Sequence, residues 1–224
     1  MIDASVALYN QLLQPSEIRL AESSVRTAAQ AVAPLIELYD AANFVAISLM
    51  HRHFALKDAE VIAWANEGGE LRLRPRTQSL SRFAPVAWGL SPDNRITAIE
   101  YASTDLFPPI VMSFVNSKGF PEFRAKMLGK LQMSPLGPYA GISIGPAVFS
   151  NFFTSAGVAS GQVYEETLDE LSNSARIVPR ADKFEGWSLM GTKDVITTMW
   201  SIRDGKLQML AGCGGCCKVV DGPC

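Results

Sequence analysis

Histidine is nearly absent from this sequence of 224 residues, which contains only His51 and His53. Cysteine is missing until position 213; Cys213, Cys216, Cys217 and Cys224 then crowd into the final stretch. A secreted disulfide framework spreads its cysteines along the chain, so this pattern argues against one and for a reducing, cytoplasmic setting. There is no surplus of basic charge. Lys plus Arg number 20 against 22 Asp plus Glu, a formal net charge of −2, which excludes a nucleic-acid binder that works by bulk charge. No apolar run approaches the roughly 20 residues a membrane helix needs. The densest, Phe107 to Val115, is short and opens with two prolines. The first residues lack a basic start and an apolar run, so no secretory leader is expected. Phosphate-cradling loops of the G-x-x-x-x-G-K-[ST] and G-x-G-x-x-G types are also lacking.

What is present is a globular composition. Hydrophobic residues make up 48% and charged residues 19%, the reverse of a disordered chain. A mean hydropathy of +0.12 points to a large core or to the interface of a homo-oligomer. Apolar residues recur at helical spacing over 4–13 and again from Leu20 to Tyr39, with Pro34 inside the second stretch. After Asn43 the texture becomes strand-like. Strands are expected at 44–54, 60–64, 70–74, 83–88, 96–101, 110–115, 139–144, within 163–178, and at 195–201 and 206–210. Asn66-Glu67-Gly68-Gly69 and Arg203-Asp204-Gly205 carry hairpin signals. Residues 119–133 read as an amphipathic helix that ends before Ser134-Pro135-Leu136-Gly137-Pro138. The expected fold is α+β: N-terminal helices followed by a mostly antiparallel sheet with one inserted helix. It forms a single domain over 1–212, with a cysteine-rich tail over 213–224.

The chemistry-bearing residues fall into two groups. On a strand over 44–54, His51 and His53 share a face with Val45, Ile47 and Leu49, so both imidazoles could reach one metal ion. Cys213-Gly-Gly-Cys216-Cys217 is a C-x-x-C-C unit whose glycines let two thiolates approach one ion, or close as a redox pair. Together they offer the donors of a zinc site, or of a softer site for copper or iron. The sequence does not bring the groups together, and the bland alternatives are packed core histidines and a mobile tail. Glu60, on the next expected strand, is the candidate for proton transfer. Its plainer role is a solvated strand-start charge. Arg72, Arg74 and Arg76 alternate with apolar residues and could bind a substrate carboxylate or phosphate, or simply protect an edge strand. The acidic stretch Glu165, Glu166, Asp169, Glu170 reads as a solvated face. Gly141-Ile-Ser-Ile-Gly145 fits G-x-S-x-G, but its flanks read as continuous strand and no histidine follows it.

Around His51-Arg52-His53-Phe54, with Leu56 and Glu60, and again at Thr198-Met199-Trp200-Ser201 leading to Cys213, the chain resembles a group of uncharacterised fungal proteins. The resemblance covers two short patches and lends no activity. It implies that the histidine strand and the cysteine end recur as a pair.

Two functional expectations follow. One is a small-molecule enzyme of specialised metabolism, with a metal at His51, His53, Cys213, Cys216 or Cys217 supporting hydrolysis, hydration or elimination. The other is a non-catalytic ligand-binding or protein-interaction module with a redox-sensitive cysteine tail.

Overall fold

A computed structural model of the chain describes residues 2–77, 80–157, 163–169, 172–180, 189–190, 195–203 and 205–214. Two helices lead: α1 (Ile2–Gln11) and α2 (Glu22–Leu38). Val25, Ala28, Ala29, Val32, Leu35 and Ile36 form the buried stripe of α2, and Pro34 lies inside it without ending it. Between them Pro15–Glu17 forms only one 3₁₀ turn, in which the Glu17 carboxylate accepts the Gln14 N–H at 2.7 Å.

Ten strands follow: β1 (Ala46–Leu49), β2 (Val61–Glu67), β3 (Glu70–Arg76), β4 (Phe83–Leu90), β5 (Ile96–Ser103), β6 (Ala140–Ser143), β7 (Val163–Asp169), β8 (Ser174–Arg180), β9 (Val195–Arg203) and β10 (Lys206–Gly214). They run in the order β1-β6-β4-β5-β2-β3-β8-β7-β10-β9, and β9 returns to β1 to close a barrel. The expected α+β character holds, but the sheet is closed where an open one was expected. Its pairs are antiparallel except β2 with β5 and β7 with β10. Closure leaves no unpaired edges, and it places one set of alternating side chains inside a lumen.

The two hairpin signals are realised. Glu67 pairs with Glu70 across Gly68 and Gly69, whose φ values of +63° and +85° suit a tight turn of the primed type. Arg203 pairs with Lys206 at the other. Strands before and after the middle helix share the one barrel, as expected.

Among the described residues three helices are inserted rather than one. The expected helix is α4 (Phe120–Gln132), with Phe123, Met127 and Leu131 buried and Pro121 in its first turn. Residues 110–115, expected as strand, belong to helix α3 (Pro109–Val115). An apolar run this short has no period to separate the two forms, and Pro109 at the first helical position decides it. Helix α5 (Gly145–Ser155) starts in the same way with Pro146. Its Phe149 packs edge-on against Trp64 of β2 and Tyr164 of β7, with ring centroids 5.1 and 5.8 Å apart, so it fills the space between separate parts of the barrel wall. No helix among the described residues is long and apolar enough to cross a membrane.

Candidate metal centre

Strand β1 ends at Leu49, earlier than expected, and both histidines lie beyond it in irregular chain. Strand alternation therefore does not place them. The segment is shaped by its hydrogen bonds. Met50 N–H donates to the Tyr139 carbonyl at 2.8 Å, and Arg52 N–H donates to Leu13 at 3.0 Å. The His53 N–H donates to the Tyr9 hydroxyl at 3.0 Å. Asn10 then holds Leu56 twice, accepting from its N–H and donating to its carbonyl, each at 2.8 Å. Helix α1 is thus the clamp on the histidine segment.

The side chain of Met50 needs room beside the barrel wall, and two glycines leave it. A Cβ on Gly89 would lie 1.9 Å from the Met50 sulfur. One on Gly141 would lie 2.6 Å from the Trp88 carbonyl oxygen and 2.9 Å from Met50 Cγ. Those absences of side chain seat the residue immediately before His51.

Two further donors come from the wall. In β3, Leu71 and Leu73 are buried while Arg72, Arg74 and Arg76 are half-buried, so the leucines mark the lumen face. Leu71 stands opposite Ile177, Ile177 opposite Glu166, and Glu166 opposite Cys213. Partners in register share a face, so Glu166 and Cys213 point inward with Leu71.

The four groups meet. His51, His53, Glu166 and Cys213 are 3%, 7%, 3% and 1% exposed. Each offers one ligand atom within 4.8 Å of the others. His53 Nε2 stands 3.1 Å from Glu166 Oε1, and His51 Nε2 stands 3.9 Å from Oε2. Donors arranged tetrahedrally at about 2.0–2.3 Å from an ion stand roughly 3.3–3.8 Å apart, so small adjustments would fit this set around one metal. The imidazoles meet edge to face, with centroids 4.5 Å apart. His51 Nδ1 lies 2.7 Å from the Leu49 carbonyl and donates to it, which turns Nε2 toward the cluster as the atom a metal would take on displacing its proton.

Burial without satisfaction distinguishes this cluster from an ordinary polar core. His51 Nε2, His53 Nε2 and Glu166 Oε1 are buried and make no hydrogen bond of regular geometry, although His53 Nε2 and Glu166 Oε1 face each other at 3.1 Å. Buried polar atoms are nearly always paired, and three that converge on one point mark a site shaped for a further atom.

The charges are mutually dependent. Burial opposes a charged His51, but the Glu166 carboxylate, the Leu49 carbonyl and Glu100 outweigh it and raise its pKa to about 9. Burial lowers His53 to about 4; Glu166 opposes that fall, and the positive charge on His51 adds to it. Burial would raise Glu166, yet the two imidazoles hold it below the usual carboxylate range. One proton and one carboxylate thus serve two imidazoles in the metal-free site. Glu100, on β5, is buried, and its carboxylate accepts the Trp64 indole N–H at 3.2 Å. Desolvation and the charge of Glu166 push it up to about 7. The Tyr9 phenol is raised far above its ordinary value, first by burial and also by Glu100 and Glu166.

The structure brings His51 and His53 to Cys213. Cys213 lies in β10, part of the barrel, whereas Cys216 and Cys217 lie outside the described residues. Glu60 is not among the converging groups. Its carboxylate accepts the Lys57 N–H at 2.7 Å in an exposed turn just before β2. Arg72 pairs with Glu70 at 2.5 Å, and Arg74 and Arg76 pair with Glu67 at 2.9 and 2.5 Å, so the guanidinium row is answered by acids of its own hairpin. Ser143 is followed by a helix after all, but its hydroxyl accepts the Gly145 N–H at 2.9 Å.

Glu166 and Glu100 are the additions. Glu166 belongs to the acidic run read as solvated, yet Tyr164 and Leu168 flank it at two-residue spacing, and a charge inside an apolar stripe is the signal that singles it out. Glu100 stands likewise between Ala98 and Ala102.

No protein-family model, curated protein or solved structure matches this chain.

Proposed function

We propose that the protein is a metal-dependent enzyme acting on a small molecule, its ion held in the barrel lumen by His51, His53, Glu166 and Cys213. The carrying observation is the convergence of three buried atoms that make no regular hydrogen bond, His51 Nε2, His53 Nε2 and Glu166 Oε1, beside the Cys213 sulfur. Charge selects among ions. Two neutral imidazoles, one carboxylate and one thiolate carry −2, which a divalent ion cancels. A monovalent or trivalent ion would leave net charge in a dry interior, at high cost. Mixed nitrogen, oxygen and sulfur donors at tetrahedral spacing suit zinc, with copper and iron as the alternatives metal analysis would reveal.

An ion of this kind polarises a carbonyl or activates water, which supports hydrolysis, hydration or elimination. Glu100 replaces Glu60 as the proton carrier. A carboxyl poised near 7 beside a carboxylate held low is the division of labour that acid–base catalysis uses. The substrate belongs to specialised metabolism in this reading. The scarcity of cysteine before position 213 supports work in the cytoplasm.

A second reading has one observation behind it. All four donors are buried, as in closed structural sites, which favours a non-catalytic metal-bearing module.

Elemental analysis of purified protein tests the site: about one divalent ion per chain is expected, absent from the His51→Ala/His53→Ala variant. Metal-free preparations of both the native protein and the variant that bind no added zinc or cobalt would end the proposal. Cobalt substitution separates the readings. Absorption bands that shift with azide or cyanide indicate an open position and an enzyme, whereas bands indifferent to both indicate the closed module.

A further inference from the structure

Arg203, the last residue of β9, stands apart from the other barrel arginines. Arg72, Arg74 and Arg76 each pair with a glutamate, and Arg52 donates to the Asn10 carbonyl. Among the described residues no carboxylate lies within ion-pair distance of Arg203, and its Nε is buried without a hydrogen-bond partner. It borders a recess of about 310 Å³ between α3, α5 and the end of β9. Of the eleven described residues lining that recess it is the only charged one. Phe44, Ile110 and Val111 give the recess an apolar wall, and Ser150 and Thr154 supply hydroxyls. Ile110 is 62% exposed. The Ser150 hydroxyl also hydrogen-bonds Tyr164, whose phenol feels the charge of Arg203.

We propose that this recess binds a small amphipathic monocarboxylate, independently of the metal centre. The carboxylate lies on the Arg203 guanidinium, which has no carboxylate partner among the described residues and can donate to both oxygens of an acid at once. The hydrocarbon body lies on Phe44, Ile110 and Val111, with the Ser150 and Thr154 hydroxyls beside the head group. The volume sits at the lower end of the range for small-molecule sites, about 300–1,000 Å³, which limits the ligand to roughly the size of an eight-carbon acid.

The test is calorimetric titration of the full chain with octanoate and, separately, with octanol. Octanoate should bind at least tenfold more tightly than octanol. Arg203→Gln should lose that preference, and Arg203→Lys should keep part of it. Ile110→Asp changes an exposed position, so the fold should tolerate it. It should weaken octanoate at least tenfold by placing a like charge beside the head group and polarity under the chain. Equal affinity for the acid and the alcohol, or undiminished octanoate binding in Arg203→Gln or Ile110→Asp, would overturn the proposal. So would the absence of octanoate binding at millimolar concentration.

Discussion

Glu166 of β7 and Cys213 of β10 are register partners on parallel neighbouring strands, and both face the lumen. Their placement is a property of the barrel wall and needs no metal to create it. The histidines are different. They lie beyond the end of β1 and are held by α1 through Tyr9 and Asn10. The centre therefore has a half built into the barrel wall and a half clamped by α1.

Removing a wall donor should cost metal and little else. Cys213→Ser keeps the size of the side chain but replaces a thiolate by a neutral hydroxyl. Its zinc affinity should fall by more than the roughly 10–100-fold seen when only a ligand's supporting partner is lost. Competition against a chromophoric chelator measures this, and unchanged affinity would remove Cys213 from the ligand set.

Disturbing the clamp should act on fold and metal together. Tyr9→Phe takes the acceptor from the buried His53 N–H, which should destabilise the protein by about 1–3 kcal/mol. Metal affinity should drop as well, because the segment carrying both imidazoles loosens. Urea denaturation of the metal-free form separates the two effects.

In metal-free protein, His51 should titrate near 9 because Glu166 outweighs burial. In Glu166→Gln the carboxylate is gone while burial persists, so the His51 pKa should fall by at least two pH units. Two histidines in the whole chain make an NMR titration of the ring signals easy to assign. A His51 still titrating near 9 in the variant would show that another group holds its proton.

Metal-free stability should decline from pH 7 to 9. His51 has a folded pKa of about 9 against 6.5 unfolded, so its contribution is complete below 6.5 and vanishes as pH rises through 9. Glu100, raised to about 7, favours folding at low pH and loses its effect between 4.5 and 7. His53, lowered to about 4, works in the opposite sense between 4 and 6.5, so the two offset there. Of these three groups only His51 contributes a slope above 7, worth at most on the order of 3 kcal/mol. Added zinc should reverse the trend, raising the melting temperature more at pH 8 than at pH 6, since the metal must displace that proton.

The seat beside His51 should be intolerant of a methyl group. Gly141→Ala puts a Cβ against the Trp88 carbonyl, which is backbone and cannot swing away. A loss of about 1–3 kcal/mol in denaturant unfolding is expected, with weaker zinc binding because Met50 shifts.

Much of the local structure was legible because it rests on local rules. Leu71 and Leu73 alternating with Arg72, Arg74 and Arg76 defined a strand and its faces. Gly68 and Gly69 defined a tight turn, and Phe123, Met127 and Leu131 defined the buried stripe of α4. Where apolar residues ran without a period, at Ile110 to Val115, the same rules could not tell strand from helix. The end of β1 was also misplaced, because the chain from Met50 onward is held by hydrogen bonds to Leu13, Tyr9 and Asn10, partners some forty residues away.

By itself the sequence determined which atoms were available for chemistry: two imidazoles one residue apart, and thiols confined to the far end. It also determined that the chain would fold as α+β. Only the tertiary structure decided that Cys213, and not the surface carboxylate of Glu60, stands with the histidines, and that Glu166 joins them. Spacing along a strand says which residues share a face. The closure of ten strands into a ring decides which faces become one interior, and that depends on pairings such as β1 with β9 and β7 with β10 that no local pattern encodes.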